Sequence, residues 1–196
     1  GGDKKILVDT GLEQFVVPPE VGEQHGVEIL EFEDALATVG LEPEDINIIV
    51  HTHLHNDHCE NDYKCTNAKV YVQKTELNFF RDPHPIDHRY YPDLLDDVEV
   101  VTVEGEAEIT DGIQVVPSPG HTPGTQSVLI RTSQGKAGIS GFCCNQENFP
   151  EKGPAVAPGV HTDALAAYDS IQRFREMADI LLPLHDFSVG RRKRIP

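Results

Sequence analysis

The chain has 196 residues, with 33 acidic side chains against 16 basic ones, a formal charge of −17 and a pI near 4.8; a field this negative repels phosphate backbones and anionic lipid, which argues against nucleic-acid or membrane-surface roles. A hydrophobic content of 38% with 25% charged residues is that of an ordinary globular protein long enough to bury a two-layer core. No apolar run approaches the roughly 20 residues of a membrane span, and Cys59, Cys65, Cys143 and Cys144 are too few for a disulfide scaffold, so one cytoplasmic domain over residues 1–196 with free thiols is expected.

In chain order, "KKILVDTG" reads as a strand closed by a glycine turn, and "ILEFEDALATVG" as a helix ended at Gly40. The chain opens without methionine on "GGDKKILVDTG", where a hairpin would already be on its return strand. A piece lacking its first strand or strands is expected, with a tag remnant as the alternative. "DINIIVHTH" is a buried strand running into a histidine cluster, and "AKVYVQ", "VEVVTV", "IQVVPSPG" and "SVLIRT" are further valine-rich strands bounded by turn residues. "FFRDPHPIDHRYYPDL", with His84, His88, Tyr90 and Tyr91, is long, proline-broken and aromatic, and residues 81–95 suit a lid. "TDALAAYDSIQRFREMA" is an amphipathic helix with Thr162 or Asp163 as N-cap and Leu165, Tyr168, Ile171, Phe174 and Ala178 on its buried face. "ILLPLHD" is a last strand with His185 at its end, and the basic "GRRKRIP" reads as a solvated terminus. Many strands with interspersed helices predict sheets covered by helices.

"IIVHTHLHNDHC" places His51, His53, His55, Asp57 and His58 within one short stretch. Along an extended backbone His51, His53 and His55 project together, and a turn after them folds Asp57 and His58 back toward the same point. Imidazole and carboxylate suit zinc, iron, manganese or cobalt, and a catalytic ion keeps a position open for water. Metal binding is the chemistry this spacing predicts.

These residues resemble the metallo-β-lactamase superfamily, whose H-x-H-x-D-H motif stands here as His53, His55, Asp57 and His58. "SPGHTPG" resembles the loop with the family's next ligand, His121, and "LPLHD" the segment with its last, His185. "ILVDTG" is similar to the early strand whose aspartate, here Asp9, supports the ligands from behind. The resemblance implies a four-layer αβ/βα sandwich with one metal on His53, His55 and His121 and a second on Asp57, His58 and His185. His51 is then spare, a ring that packs or hydrogen-bonds nearby.

Within the superfamily, "EDINIIVHTHLHNDH", "VYVQKTEL" and "SPGHTPGTQSVLIRT" look most like the acyl-homoserine-lactone lactonases. The departure is at "GISGFCCNQENF": no acid lies between Arg131 and Glu147, where such hydrolases carry an aspartate bridging both metals, and no tyrosine follows. Either Cys143 replaces that aspartate as a thiolate ligand, or the second metal is weak and the cysteines are core residues. The function implied is a metal-dependent hydrolase of a small carbonyl substrate (ester, lactone, thioester or amide). A divalent ion, zinc first and iron or manganese as alternatives, generates hydroxide at neutral pH, and Asp57 handles the proton. A mononuclear iron enzyme acting on sulfur compounds and a non-catalytic metal-binding relative are the alternatives. The only partner expected is the small-molecule substrate, with a homodimer left open.

Overall fold

In the computed structural model, which describes residues 4–14, 18–192 and 194–195, two sheets face each other between helices. The first is wholly parallel, in the order β1 (Lys5–Val8), β2 (Ile46–Val50), β3 (Lys69–Gln73) and β4 (Glu99–Val103). The second runs β5 (Ala107–Thr110), β6 (Ile113–Pro117), β7 (Gln126–Thr132), β8 (Gly135–Ser140) and β9 (Ile180–Pro183), antiparallel except for the β8–β9 pair. The described α-helices are α1 (Pro19–His25), α2 (Phe32–Ala37), α3 (Asn56–Cys59), α4 (Lys74–Arg81), α5 (Ala164–Met177) and α6 (Phe187–Gly190), with short 3-10 turns in the connections.

Strand β2 reads as an unbroken apolar run because both its faces are covered. On one side Ile46 and Ile49 pack with Leu36 of α2 and Val70 of β3. Facing the other sheet, Ile48 and Val50 meet Val115 and Val128. Beyond the second sheet, Ile171 and Phe174 of α5 pack on Val116, Leu129 and Phe142. The order helix, sheet, sheet, helix is the expected four-layer αβ/βα sandwich.

Several expectations move. The strand predicted through His53 stops at Val50, so the histidines lie on a loop beyond the strand rather than alternating along it. The predicted first helix shortens to Phe32–Ala37, and Gly40 at φ +74° donates its N–H to Ala37 to close it. Strand β9 ends at Pro183, two residues before His185. The elements α1, α4, β5 and β8 carry weak signals: β8, "GKAGIS", has two glycines and no alternation, and α4 follows β3 with no intervening turn residue.

Helix α5 starts where expected, with Asp163 accepting the N–H of Leu165 and of Ala166 at 3.0 Å each. Its buried face is different. Leu165 is 81% exposed and Tyr168 43%, while Ala167, Ser170, Ile171 and Phe174 are buried. The reason is the "SPGHTPG" loop, which lies so close to the helix that a side chain at Gly120 would strike the backbone of Ala167; only small residues fit there. Replacing Phe174, whose ring meets Phe142 and Phe149 at 6.0 Å, by alanine should cost about 3–5 kcal/mol in denaturant unfolding. Leu165→Ala should stay within about 0.5 kcal/mol of the unaltered chain.

Candidate metal centre

The loop after β2, the loop after β6 and the turn after β9 bring two donor groups together. His53, His55 and His121 form one and Asp57, His58 and His185 the other, with the ligand atoms of each group within 4.8 Å of one another. Within the first, the Nε2 atoms of His53 and His121 stand 3.2 Å apart. The groups adjoin, since the rings of His53 and His58 have centroids 4.0 Å apart.

Which nitrogen each ring offers follows from what holds the other. His121 donates from Nδ1 to the Val160 carbonyl at 2.8 Å, so its Nε2 carries a free lone pair. Thr52 Oγ1 donates to Asp9, and so accepts from His53 Nδ1 at 3.0 Å, freeing His53 Nε2. His55 is held from the other side, Nε2 to Asp87 at 3.0 Å, which leaves Nδ1. His58 donates from Nδ1 to Asp9 at 2.7 Å, and its buried Nε2 makes no hydrogen bond among the described residues, the nearest acid oxygen being that of Asp57 at 3.5 Å. A buried imidazole nitrogen left unsatisfied is costly. One beside Asp57 and His185 fits a cation, and rings fixed from behind by carboxylate or carbonyl are the arrangement metal ligands use.

Electrostatics prepare the first group. Burial, then the neighbouring His58, holds His53 well below the usual histidine range. Burial likewise brings His55 down to about 4 and His121 to about 3, so all three are neutral at pH 7, as ligands must be. In the second group burial opposes protonation of His58, but the charge and hydrogen bond of Asp9 together with the charge of Asp57 outweigh it and raise the pKa. Asp9 is itself pushed up by burial and more strongly pulled down by His58 and His51, ending below the usual carboxylate range.

Six of the seven sequence-predicted ligands are thus assembled. The exception is Cys143, which is in neither group. Burial, then the charge of Asp57, raises its thiol pKa. Cys144 is the buried core member of the pair, 3.1 Å from Ser140 Oγ. His51 is not idle: its ring bridges Asp9 at 3.2 Å and Asp62 at 2.7 Å.

Sequence reasoning missed Asp87, Asp62, Thr52 and Glu76. Lone acids and hydroxyls carry no spacing signal, and their roles exist only once the loops meet. In the 81–95 segment His84, His88 and Tyr91 are exposed, whereas Asp87 and Tyr90 are buried against His55. Asp87 takes Arg89 through two bonds, at 2.8 and 2.9 Å, and the Tyr90 ring lies edge-on to His55 with centroids 4.7 Å apart.

The family model described as the Metallo-beta-lactamase superfamily matches residues 1–141. The chain belongs to that superfamily. It is a metallo-hydrolase, in keeping with its relatives. An N-acyl homoserine lactonase of Bacillus cereus is 29% identical over 183 residues, covering 88% of this chain and 71% of the relative. The N-acyl homoserine lactonase AiiA of Bacillus thuringiensis subsp. kurstaki is 30% identical over 187 residues with the same coverage. Among solved structures, a quorum-quenching N-acyl homoserine lactone lactonase superposes with a TM-score of 0.73 at 28% identity, over 100% of this chain and 80% of that one. An N-acyl homoserine lactone hydrolase with N-hexanoyl-L-homoserine at its catalytic metal centre gives 0.71 at 28% identity, over 97% and 80%.

Because Asp9 orients His58 directly and His53 through Thr52, Asp9→Asn should weaken zinc binding about 10–100-fold in competition titrations with a chromophoric chelator. A native circular dichroism spectrum of the metal-free variant separates this from unfolding.

Proposed function

We propose that the chain hydrolyses a small neutral carbonyl compound bearing an apolar substituent, with a lactone of the N-acyl homoserine type as first candidate and two divalent ions as cofactors. The observation that carries the reading is the pair of converging donor groups with an unpartnered His58 Nε2 between Asp57 and His185. His53, His55 and His121 would hold one ion, and Asp57, His58 and His185 the other. Such an ion supplies a Lewis acid for the carbonyl and lowers the pKa of coordinated water toward about 7. Convergence of a second group favours two ions over a single iron, and the lactonase relatives favour turnover over mere metal storage.

The chain's own residues supply the rest. Beside His185 opens a groove of about 610 Å³ whose walls include Ile29, Leu30, Leu184, Phe187 and Val189, suited to an aliphatic chain. A second cavity of about 660 Å³, walled by Glu13, Glu60, Asp93 and Asp97, meets no metal donor and would repel a carboxylate. Asp57, its side chain 35% exposed and one oxygen 3.5 Å from His58 Nε2, is the donor best placed to pass a proton to the departing oxygen.

Zinc-loaded protein should open N-hexanoyl-homoserine lactone with release of one proton per turnover in a pH-stat. Chelation should abolish this, and added zinc or cobalt should restore it. Asp57→Asn should lower kcat about 10²-fold or more. An inactive protein that binds two ions would sink the lactone reading and leave the metal sites standing.

The missing acid between Arg131 and Glu147 has its own test. With Cys143 outside both groups, cobalt-loaded protein should show visible bands but no near-ultraviolet thiolate charge transfer. A charge-transfer band that disappears in Cys143→Ala and persists in Cys144→Ala would instead add the thiol as a seventh donor.

A further inference from the structure

Glu76, in the first turn of α4, is wholly buried, and no step of the proposed hydrolysis uses it. Among the described residues its carboxylate has no cationic partner; four donors from three separate segments converge on it. Oε1 accepts the N–H of Leu54 at 3.0 Å and the hydroxyl of Tyr90 at 2.8 Å. Oε2 accepts the hydroxyl of Thr122 at 2.6 Å and the N–H of Gly124 at 3.2 Å. Leu54 lies between His53 and His55, Thr122 follows His121, and Tyr90 packs against His55. Every ligand of the first group is therefore one residue, or one ring contact, from an atom bonded to Glu76.

We propose that Glu76 is the positioning residue of the first metal site, a single carboxylate that sets the spacing of His53, His55 and His121 and ties the segment over the cleft to them. The proposal rests on the reading of these histidines as ligands. Its physical basis is that each oxygen joins different segments: Oε1 fastens the His53–His55 loop to the Tyr90 segment, and Oε2 fastens the His121 loop to α4. The approach is close enough that a side chain at Gly124 would overlap the backbone of Glu76. Thr122 is locked in turn, its hydroxyl 2.7 Å from that of Thr125, which also accepts the Thr122 N–H at 2.9 Å. Glu76 bonds to no atom of Asp57, His58 or His185, and His58 is held by Asp9 instead, so the effect of Glu76 belongs to one of the two ions.

The experiment adds cobalt(II) to the metal-free full chain and reads the visible bands and the affinity against a chromophoric chelator. Circular dichroism and thermal melting of the metal-free protein run beside it. His53→Ala is the reference and should lose one binding step. Glu76→Gln keeps the shape but turns an amide against the Gly124 N–H, and should weaken that same step about tenfold or more and alter its bands, leaving the other step unchanged. Thr122→Val and Tyr90→Phe, which each remove one hydroxyl, should weaken it by a smaller factor, and they decide the matter alone if Glu76→Gln does not fold. Folded variants that bind cobalt like the unaltered chain, even with a lowered melting temperature, would reduce Glu76 to a structural brace and overturn the proposal. Unchanged binding in His53→Ala would overturn instead the ligand assignment beneath it.

Discussion

The loop that carries most of the candidate ligands is anchored by the buried carboxylate of Asp9. Asp9 sits just past β1 at φ +56°, a left-handed conformation that aspartate tolerates better than most side chains. There Oδ1 accepts the Thr52 N–H at 2.8 Å and faces His51 Nδ1 at 3.2 Å, while Oδ2 accepts the Thr52 hydroxyl at 2.8 Å and His58 Nδ1 at 2.7 Å. An ionised carboxylate is tolerated out of water only if such bonds satisfy it. They also bind the loop after β2 to the end of β1, so the turn that places His53, His55 and His58 cannot shift without stripping Asp9 of its partners. Asp62, bonded to Thr10 Oγ1 at 2.8 Å, clamps His51 from the far side.

The second requirement is that two sheets built from distant stretches keep one relative position. Apolar packing between them is not directional, so polar links must fix the register. Gln126, at the start of β7, does this: its N–H reaches the Thr52 carbonyl at 2.8 Å and its side chain the His51 carbonyl at 2.7 Å. Gln73, at the end of β3, meets the Gln126 side chain at 2.9 Å. Helix α5 sets the His121 loop from the other flank, with Thr162 N–H on the Gly120 carbonyl at 2.7 Å and Ser170 Oγ on that of Pro119 at 2.7 Å. The donors thus converge from three loops, of which the loop after β2 and the His121 loop are each fastened at a second point.

This explains which parts were legible in advance. His53, His55, Asp57 and His58 stand out because their spacing is local, and apolar runs such as "INIIV" announce buried strands for the same reason. His121 and His185 are lone histidines whose place comes from motif resemblance rather than from periodicity. The supporting acids are invisible to any local rule: Asp87 is one of many in an acidic chain, and its role depends on Tyr90 and Arg89 folding over His55. The buried face of α5 was misread because the helical period points Leu165 inward, whereas the loop pressed against that end of the helix leaves room only for Ala167.

The charge pattern around the donors has a further consequence. Asp87 is largely neutralised by Arg89, whose bonds, with His55, hold its pKa at about 2 against the upward push of burial. Burial pushes the His51 pKa down, but Asp62 and Asp9 together raise it to about 10, so these two acids share a cationic ring, whereas among the described residues Glu76 accepts only from neutral donors. The divalent ions proposed for the neighbouring donors would offset part of this buried negative charge, which would couple metal binding to stability. Beyond the centre the formal charge of −17 remains. A neutral ester or lactone enters that field without penalty, but the carboxylate formed on its hydrolysis leaves down the potential gradient. The acidity that argues against nucleic acid as a partner would therefore also favour release of the anionic product of the proposed hydrolysis over its retention.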